Sequence, residues 1–242
     1  MPRTNYGIKQ KGSSKFVIIA PHAAGDDLRT KELAEEIARL LNGLVVVNEE
    51  YVQRTSTRSY QNPYVEDFNH LPWSDEQQEY LWDKKHPDMK AFYEHIKEYA
   101  KASRKYGEGR AIIIYIHGMD DDGINLGIDI GFGTKCHEGK LKGTLGEDGH
   151  PDANDNNGEI RASLKDIEKL RALLAEKLNA DYSINVGIGE RYTAWSRHNG
   201  VQYHYGTPDY SFQLEVSQFL RKPPRIKYTA NLIADALKEV NK

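Results

Sequence analysis

The sequence predicts an α/β fold class: a single three-layer domain in which a mostly parallel, mixed sheet is flanked by helices. Three observations support this. Short runs such as FVIIA, LVVVN and AIIIYI are β-branched and uninterrupted by polar residues, the pattern of strands buried on both faces. Stretches with apolar residues at helical spacing lie between them, and strands alternating with helices imply parallel connections. A chain of 242 residues fits one such domain over 1–242 and can bury a substantial core.

The elements follow in order. Residues 15–21 (KFVIIAP) form the first strand. Residues 29–42 form a helix with Leu33, Ile37, Leu40 and Leu41 on one stripe, ended by Gly43. GLVVVNEE is the second strand. From Tyr51 to Pro72 the chain is polar and tyrosine-rich without helical period, a loop of the length that usually carries function. Residues 74–105 read as helix in two pieces, capped at Ser74 and broken at His86-Pro87, because proline disfavours helix just before it. RAIIIYIH (110–117) is another buried strand, INLGIDIGFGTK is strand-like with glycine bends, and GEDGHPDANDNNGE is a loop. A helix over 163–178 opens at Ser163 and buries Leu164, Ile167, Leu170, Leu173 and Leu174. YSINVGIG and SFQLEVS are strands, and 224–239 is the last helix.

Composition excludes several classes. The net charge of −3, from 33 basic and 36 acidic residues that alternate along the chain, provides no field to attract nucleic acid. No apolar run reaches the ~20 residues of a membrane span, and the first fifteen residues lack the apolar core of a signal peptide. The single cysteine, Cys136, allows no internal disulfide and suits a reducing compartment, so a cytoplasmic protein is expected, with neither nucleic acid nor membrane as partner. Fifteen tyrosines against six phenylalanines suggest half-wet aromatic positions of the kind that line pockets.

Three side chains carry the chemistry. His22 ends one buried strand, His117 ends another, and Glu215 interrupts a third between Leu214 and Val216. Either histidine alone is more simply a hydrogen-bonded bystander. Two of them, each followed by small residues and both at the sheet edge where α/β folds place their sites, point to a metal. Zinc favours imidazole nitrogen with a carboxylate oxygen, and Asp26 or Asp27 could complete the set, the other capping the following helix. Glu215 shares a strand face with Gln213 while Phe212, Leu214 and Val216 share the other. An exposed glutamate on an edge strand is the plainer alternative.

The segment HAAGDDLRTKEL (22–33) resembles the H-G-G-G-I-E-P-G-T-S-E-L pattern of phage poly-γ-glutamate hydrolases and, more broadly, the N-formylglutamate amidohydrolases, relatives of the zinc carboxypeptidases. The resemblance continues at IHGM (116–119) with DIGFG (129–133), at TAWSRHNG (193–200) and at SFQLEVSQFLR (211–221), so it runs in order over roughly residues 15–240. It implies a zinc-carboxypeptidase-like (phosphorylase/hydrolase-like) fold, with His22, Asp27 and His117 as ligands to Zn2+, Asp27 standing where the phage pattern has its glutamate and Asp26 as the fallback. It also implies Glu215 as the catalytic carboxylate and Arg197 as a grip on a substrate carboxylate, though a surface arginine would read the same. EDFNH (66–70) is similar to the D-L-N-R segment of the aspartoacylase branch, but His70 replaces the arginine, and Arg54 or Arg58 in the same loop could substitute. Asp129 is either a hydrogen-bond partner of a ligating histidine or structural.

GIDIGFGTK lacks a full phosphate fingerprint, Cys136 beside His137 lacks the setting of a nucleophile, and the asparagine-rich loop lacks a regular calcium spacing. The expected activity is zinc-dependent hydrolysis of an amide bond in a small N-acyl amino acid or a γ-glutamyl-type substrate. The alternatives are a poly-γ-glutamate hydrolase, a carboxypeptidase-like peptidase, or a binding protein with a vestigial metal site.

Overall fold

The alternation of buried strands and amphipathic helices builds an eight-stranded sheet with helices on both faces. The computed structural model describes residues 3–25, 27–53, 65–121, 125–134, 136–137, 140–141, 160–204 and 207–241. Its strands are β1 (Arg3–Thr4), β2 (Gly7–Gln10), β3 (Phe16–Ala20), β4 (Leu44–Asn48), β5 (Trp73–Ser74), β6 (Glu79–Tyr80), β7 (Ile112–Met119), β8 (Leu126–Gly131), β9 (Cys136–His137), β10 (Lys140–Leu141), β11 (Asn185–Ile188) and β12 (Tyr210–Ser217). The helices are α1 (Thr30–Leu41), α2 (Pro87–Ser103), α3 (Leu164–Tyr182), α4 (Gln218–Arg221) and α5 (Arg225–Val240).

The main sheet runs β1-β2-β4-β3-β7-β12-β8-β11. Its centre is parallel (β4-β3-β7-β12), as the doubly buried strands require, while β2 joins β4 and β8 joins β12 antiparallel. Alternate side chains divide the core in two. Ile18, Ala20, Ile114, Ile116, Leu214 and Val216 pack beneath α1, α3 and α5. Val17, Ile19, Val46, Ile113 and Tyr115 face α2 with its buried Met89, Phe92, Tyr93 and Ile96. The period of two along each strand thus produces the three layers. No helix among the described residues is long and apolar enough to cross a membrane.

Two expectations need correction. Residues 74–85 form no α-helix, only a single 3-10 turn over Trp82–Lys84. Ser74 accepts the Gln77 N–H at 3.2 Å and Gln78 has φ 54°, so the S-D-E-Q stretch makes a turn instead of opening a helix. The turn joins the β5-β6 ribbon, whose Trp73 and Tyr80 rings pack edge-on at 5.0 Å. The helix begins only after His86, which accepts the Asp88 N–H at 3.2 Å, with Pro87 supplying the preset first φ. The polar N-terminal residues, for which the sequence predicts no element, add β1 and β2 to the sheet. Gly7 is essential there: its φ is 144° and a Cβ would collide with the Val47 carbonyl across the ladder.

His204, at the end of a 3-10 turn over Gly200–His204, is buried with its Nε2 3.1 Å from the Tyr115 hydroxyl. Burial pushes its pKa down to about 3. The unfolded chain, with an ordinary histidine near 6.5, therefore binds the extra proton first as pH falls, so stability declines below pH 6.5 and continues to fall toward pH 3. At pH 5 the loss amounts to about 2 kcal/mol. Between pH 7 and 5, His204→Gln should show a melting temperature that falls less than that of wild type. Parallel pH dependences for the two proteins would show that this ring does not titrate on unfolding.

Candidate functional site

β3 ends at Ala20, and the next residues fold back so that the Asp27 N–H reaches the His22 carbonyl at 3.2 Å. Thr30 closes the turn by donating its hydroxyl to the Asp27 carbonyl at 2.8 Å. Asp27 does not cap α1. The residue before the helix is Arg29, with φ 67° and no side-chain cap bond, and the Asp27 carboxylate turns inward, 8% exposed. There Oδ2 accepts the Gly118 N–H at 3.0 Å and lies 3.4 Å from both His22 Nδ1 and His117 Nδ1. The two imidazoles meet edge-on at 4.9 Å. His22, Asp27 and His117 each offer a ligand atom, all within 4.8 Å of one another, so the three could hold one metal ion. Asp26 lies outside the described residues.

The donors are two nitrogens and an oxygen, a set suited to zinc. The carboxylates beside the two rings favour positive charge at this point. Burial alone would lower the His22 pKa, but hydrogen bonds and charge from Asp27 and Asp67 outweigh it and push the ring up to about 10. Burial would raise Asp27, yet the two histidines hold its carboxyl far below the ordinary range. His117 is lowered, first by burial and further by the charge on His22, and its Nε2 is buried with no hydrogen-bond partner among the described residues. The carboxylates of Asp27 and Asp67 thus hold a positive charge at His22, a proton whose place a metal ion could take, while His117 stays neutral.

Asp67, from the EDFNH segment, accepts from His22 Nε2 at 2.8 Å, while Gln53 donates to His22 Nδ1 at 3.3 Å. A carboxylate on the far nitrogen holds a ring proton there, so Nδ1, beside Asp27, is the nitrogen that could serve as a ligand. Neither residue was singled out from sequence, although Asp67 lies in EDFNH, a segment with a family resemblance; for Gln53 the long polar loop was the only signal.

Glu215, 7% exposed, stands on β12 in register with His117 on β7 and Asp129 on β8. Gln213 Nε2 donates to its Oε1 at 3.2 Å, and Asn199 Nδ2 donates to Gln213 Oε1 at 3.1 Å, a relay that orients the carboxylate. Burial pushes the Glu215 carboxyl well above its ordinary range, and the charge of Asp27 adds to the effect. Asp129 proves structural. Its carboxylate accepts the N–H groups of Glu190, Arg191 and Tyr192 at 3.0, 2.8 and 3.0 Å, anchoring the loop that walls the site.

These residues border a cleft of about 440 Å³, its floor formed by His22, Asp27, His117 and Glu215 and its wall by Arg191–Ser196. Ala194 in that wall has φ 57°, a left-handed conformation costly for a non-glycine residue, held by Gln202 donating to its carbonyl at 2.9 Å. Arg197 is not among the lining residues. It is 4% exposed, with its guanidinium over the Trp73 ring at 5.2 Å, while Arg191 lines the cleft. His70 stacks on His198 at 4.7 Å. Arg54 and Arg58 lie outside the described residues.

No protein-family model and no curated protein sequence matches this chain. Solved structures do. An N-formylglutamate amidohydrolase from Ralstonia eutropha JMP134 matches with TM-score 0.55 and 10% identity, covering 96% of this chain and 94% of that one. YNDL in its zinc-free apo form matches with TM-score 0.50 and 14% identity, over 96% and 88% of the two chains. A bacteriophage poly-γ-glutamate hydrolase matches with TM-score 0.47 and 16% identity, over 96% and 87%. The first two show that this chain shares their fold, which in the first is that of an N-formylglutamate amidohydrolase.

Proposed function

We propose that the protein is a zinc-dependent amidohydrolase that cleaves an amide bond in a small N-acyl amino acid or a γ-glutamyl-type substrate. The observation that carries this reading is the convergence of His22, Asp27 and His117 on one floor of a cleft, with a buried Glu215 in register beside them. Held by those three residues, zinc would supply Lewis acidity and a water of pKa near ~7. Glu215 takes the water's proton on a carboxylate oxygen and delivers it to the leaving nitrogen; the Asn199–Gln213 relay fixes the orientation of that carboxylate through its Oε1. Asp27 and Asp67 hold the ligand rings in place, and Asp129 keeps the far wall at a fixed distance.

For the substrate carboxylate we favour Arg191 over Arg197, because Arg191 lines the cleft. A charge-assisted pair in a partly desolvated pocket is worth about 1.5–3 kcal/mol. Its loss raises the Michaelis constant by roughly 10- to 150-fold. The experiment is a screen of N-acyl amino acids and short γ-glutamyl peptides, each beside its carboxamide, with the zinc-loaded protein. Wild type should release amine, stop with a chelator, recover with zinc and discriminate against the carboxamide. Arg191→Ala should lose that discrimination and Arg197→Ala should keep it; the reverse outcome returns the clamp to Arg197. No hydrolysis of any member of the set would remove the proposed activity.

A further inference from the structure

Arg221 is a buried cation whose described hydrogen bonds all go to main-chain carbonyls. It follows β12 at the end of α4 and is 3% exposed. Its Nε donates to the Val216 carbonyl at 2.9 Å, its Nη2 to the Met119 carbonyl at 3.3 Å, and its Nη1 to the Leu28 carbonyl. These three acceptors belong to three different segments. Val216 follows Glu215, Met119 lies two residues beyond His117, and Leu28 follows Asp27. The guanidinium also lies flat against Gly118, where a Cβ would come within 2.5 Å of Cζ, and Gly118 is the residue whose N–H holds the Asp27 carboxylate.

We infer that Arg221 is a positioning residue: one planar guanidinium ties together the segments bearing Asp27, His117 and Glu215 and sets their mutual spacing. This rests on the metal reading of the site. Arginine is required because its N–H groups form a rigid fork that reaches three acceptors at once, whereas an ammonium is a single point on a flexible stem. Glycine at 118 is required because any side chain would occupy the place of the guanidinium. The fork makes no hydrogen bond to a lining side chain; it acts through the segments it holds and through the positive charge it sets near Asp27 and Glu215.

The test uses the full chain as wild type, Arg221→Lys and Arg221→Gln, with Co2+ as the probe. Binding is followed by titration and by the visible absorption of the bound ion, and folding by circular dichroism and thermal melting. Partners outside the ligand set typically change metal affinity by 10- to 100-fold. The expected result is a loss of that size in both variants with altered absorption bands, while the far-ultraviolet spectrum is kept. A purely structural role would lower the melting temperature but leave the bands and affinity of the folded fraction unchanged, and would overturn the inference. So would a failure of both variants to yield folded protein, since the guanidinium would then be a requirement of folding and not a setter of the site. Wild type that takes up no Co2+ overturns the metal reading itself, an outcome distinct from wild-type binding matched by the variants.

Discussion

Glu215→Gln is expected to lower turnover by ~10²–10⁴ while leaving fold and metal content unchanged. The substitution keeps the shape of the side chain and the reach of its oxygen to Gln213 Nε2, 3.2 Å away, so packing on β12 is preserved. What it removes is the ability to accept a proton. The environment favours that role. Burial and the charge of Asp27 push the Glu215 carboxyl well above its ordinary range, and a base with a pKa closer to the working pH returns its proton to a leaving amine more readily. A cation held by the neighbouring ligands would act in the opposite sense, drawing the carboxyl back toward ionisation at neutral pH. The measurement is kcat on an authentic substrate, with metal determined on the same sample. An unchanged rate in Glu215→Gln would leave the carboxylate without a part in the reaction.

His22→Ala and His117→Ala should each reduce bound zinc from about one equivalent per chain to a small fraction, because a three-residue site that loses one ligand keeps only two. Asp27→Ala should do the same. Its carboxylate faces both imidazoles at 3.4 Å and has no other role in capping α1. Asp26→Ala should retain the metal. The check is elemental analysis of the purified variants beside wild type, with chelator-treated protein reloaded to separate lost affinity from lost occupancy. Full retention by any one of the three would remove that residue from the ligand set, and retention by Asp27→Ala with loss by Asp26→Ala would exchange the two aspartates.

Much of this architecture was legible because burial on both faces leaves a strong mark in composition. FVIIA, LVVVN and the isoleucine run before His117 could be read as central strands, and the stripes of α1, α3 and α5 were placed to within a few residues. Where the mark is weaker the reading failed. The ribbon at Trp73–Tyr80 carries enough polar residues to mimic a helix start, and the antiparallel pairing and packed aromatic rings show that the chain turns back. β2 is too short, and too polar on its open side, for a period of two to stand out. That His22 and His117 lie near the carboxyl ends of aliphatic strands and Glu215 lies within one was legible too, since a histidine or glutamate directly against an aliphatic run demands a partner.

The sequence by itself determined the fold class, the order of the central elements and the residue types available at the carboxyl edge of the sheet, because these follow from local periodicity and the cost of burying polar groups. Tertiary structure alone decided which groups meet. Asp67 lies 45 residues from His22 yet bonds to its ring, and Arg221 lies 193 residues from Leu28 yet holds its carbonyl. Arg191 and Arg197 stand in the same short loop, but the three N–H groups anchored on Asp129 turn one toward the cleft wall while the Trp73 ring covers the other. Such contacts depend on distances set by parallel register and loop closure across the whole chain, which no window of sequence contains.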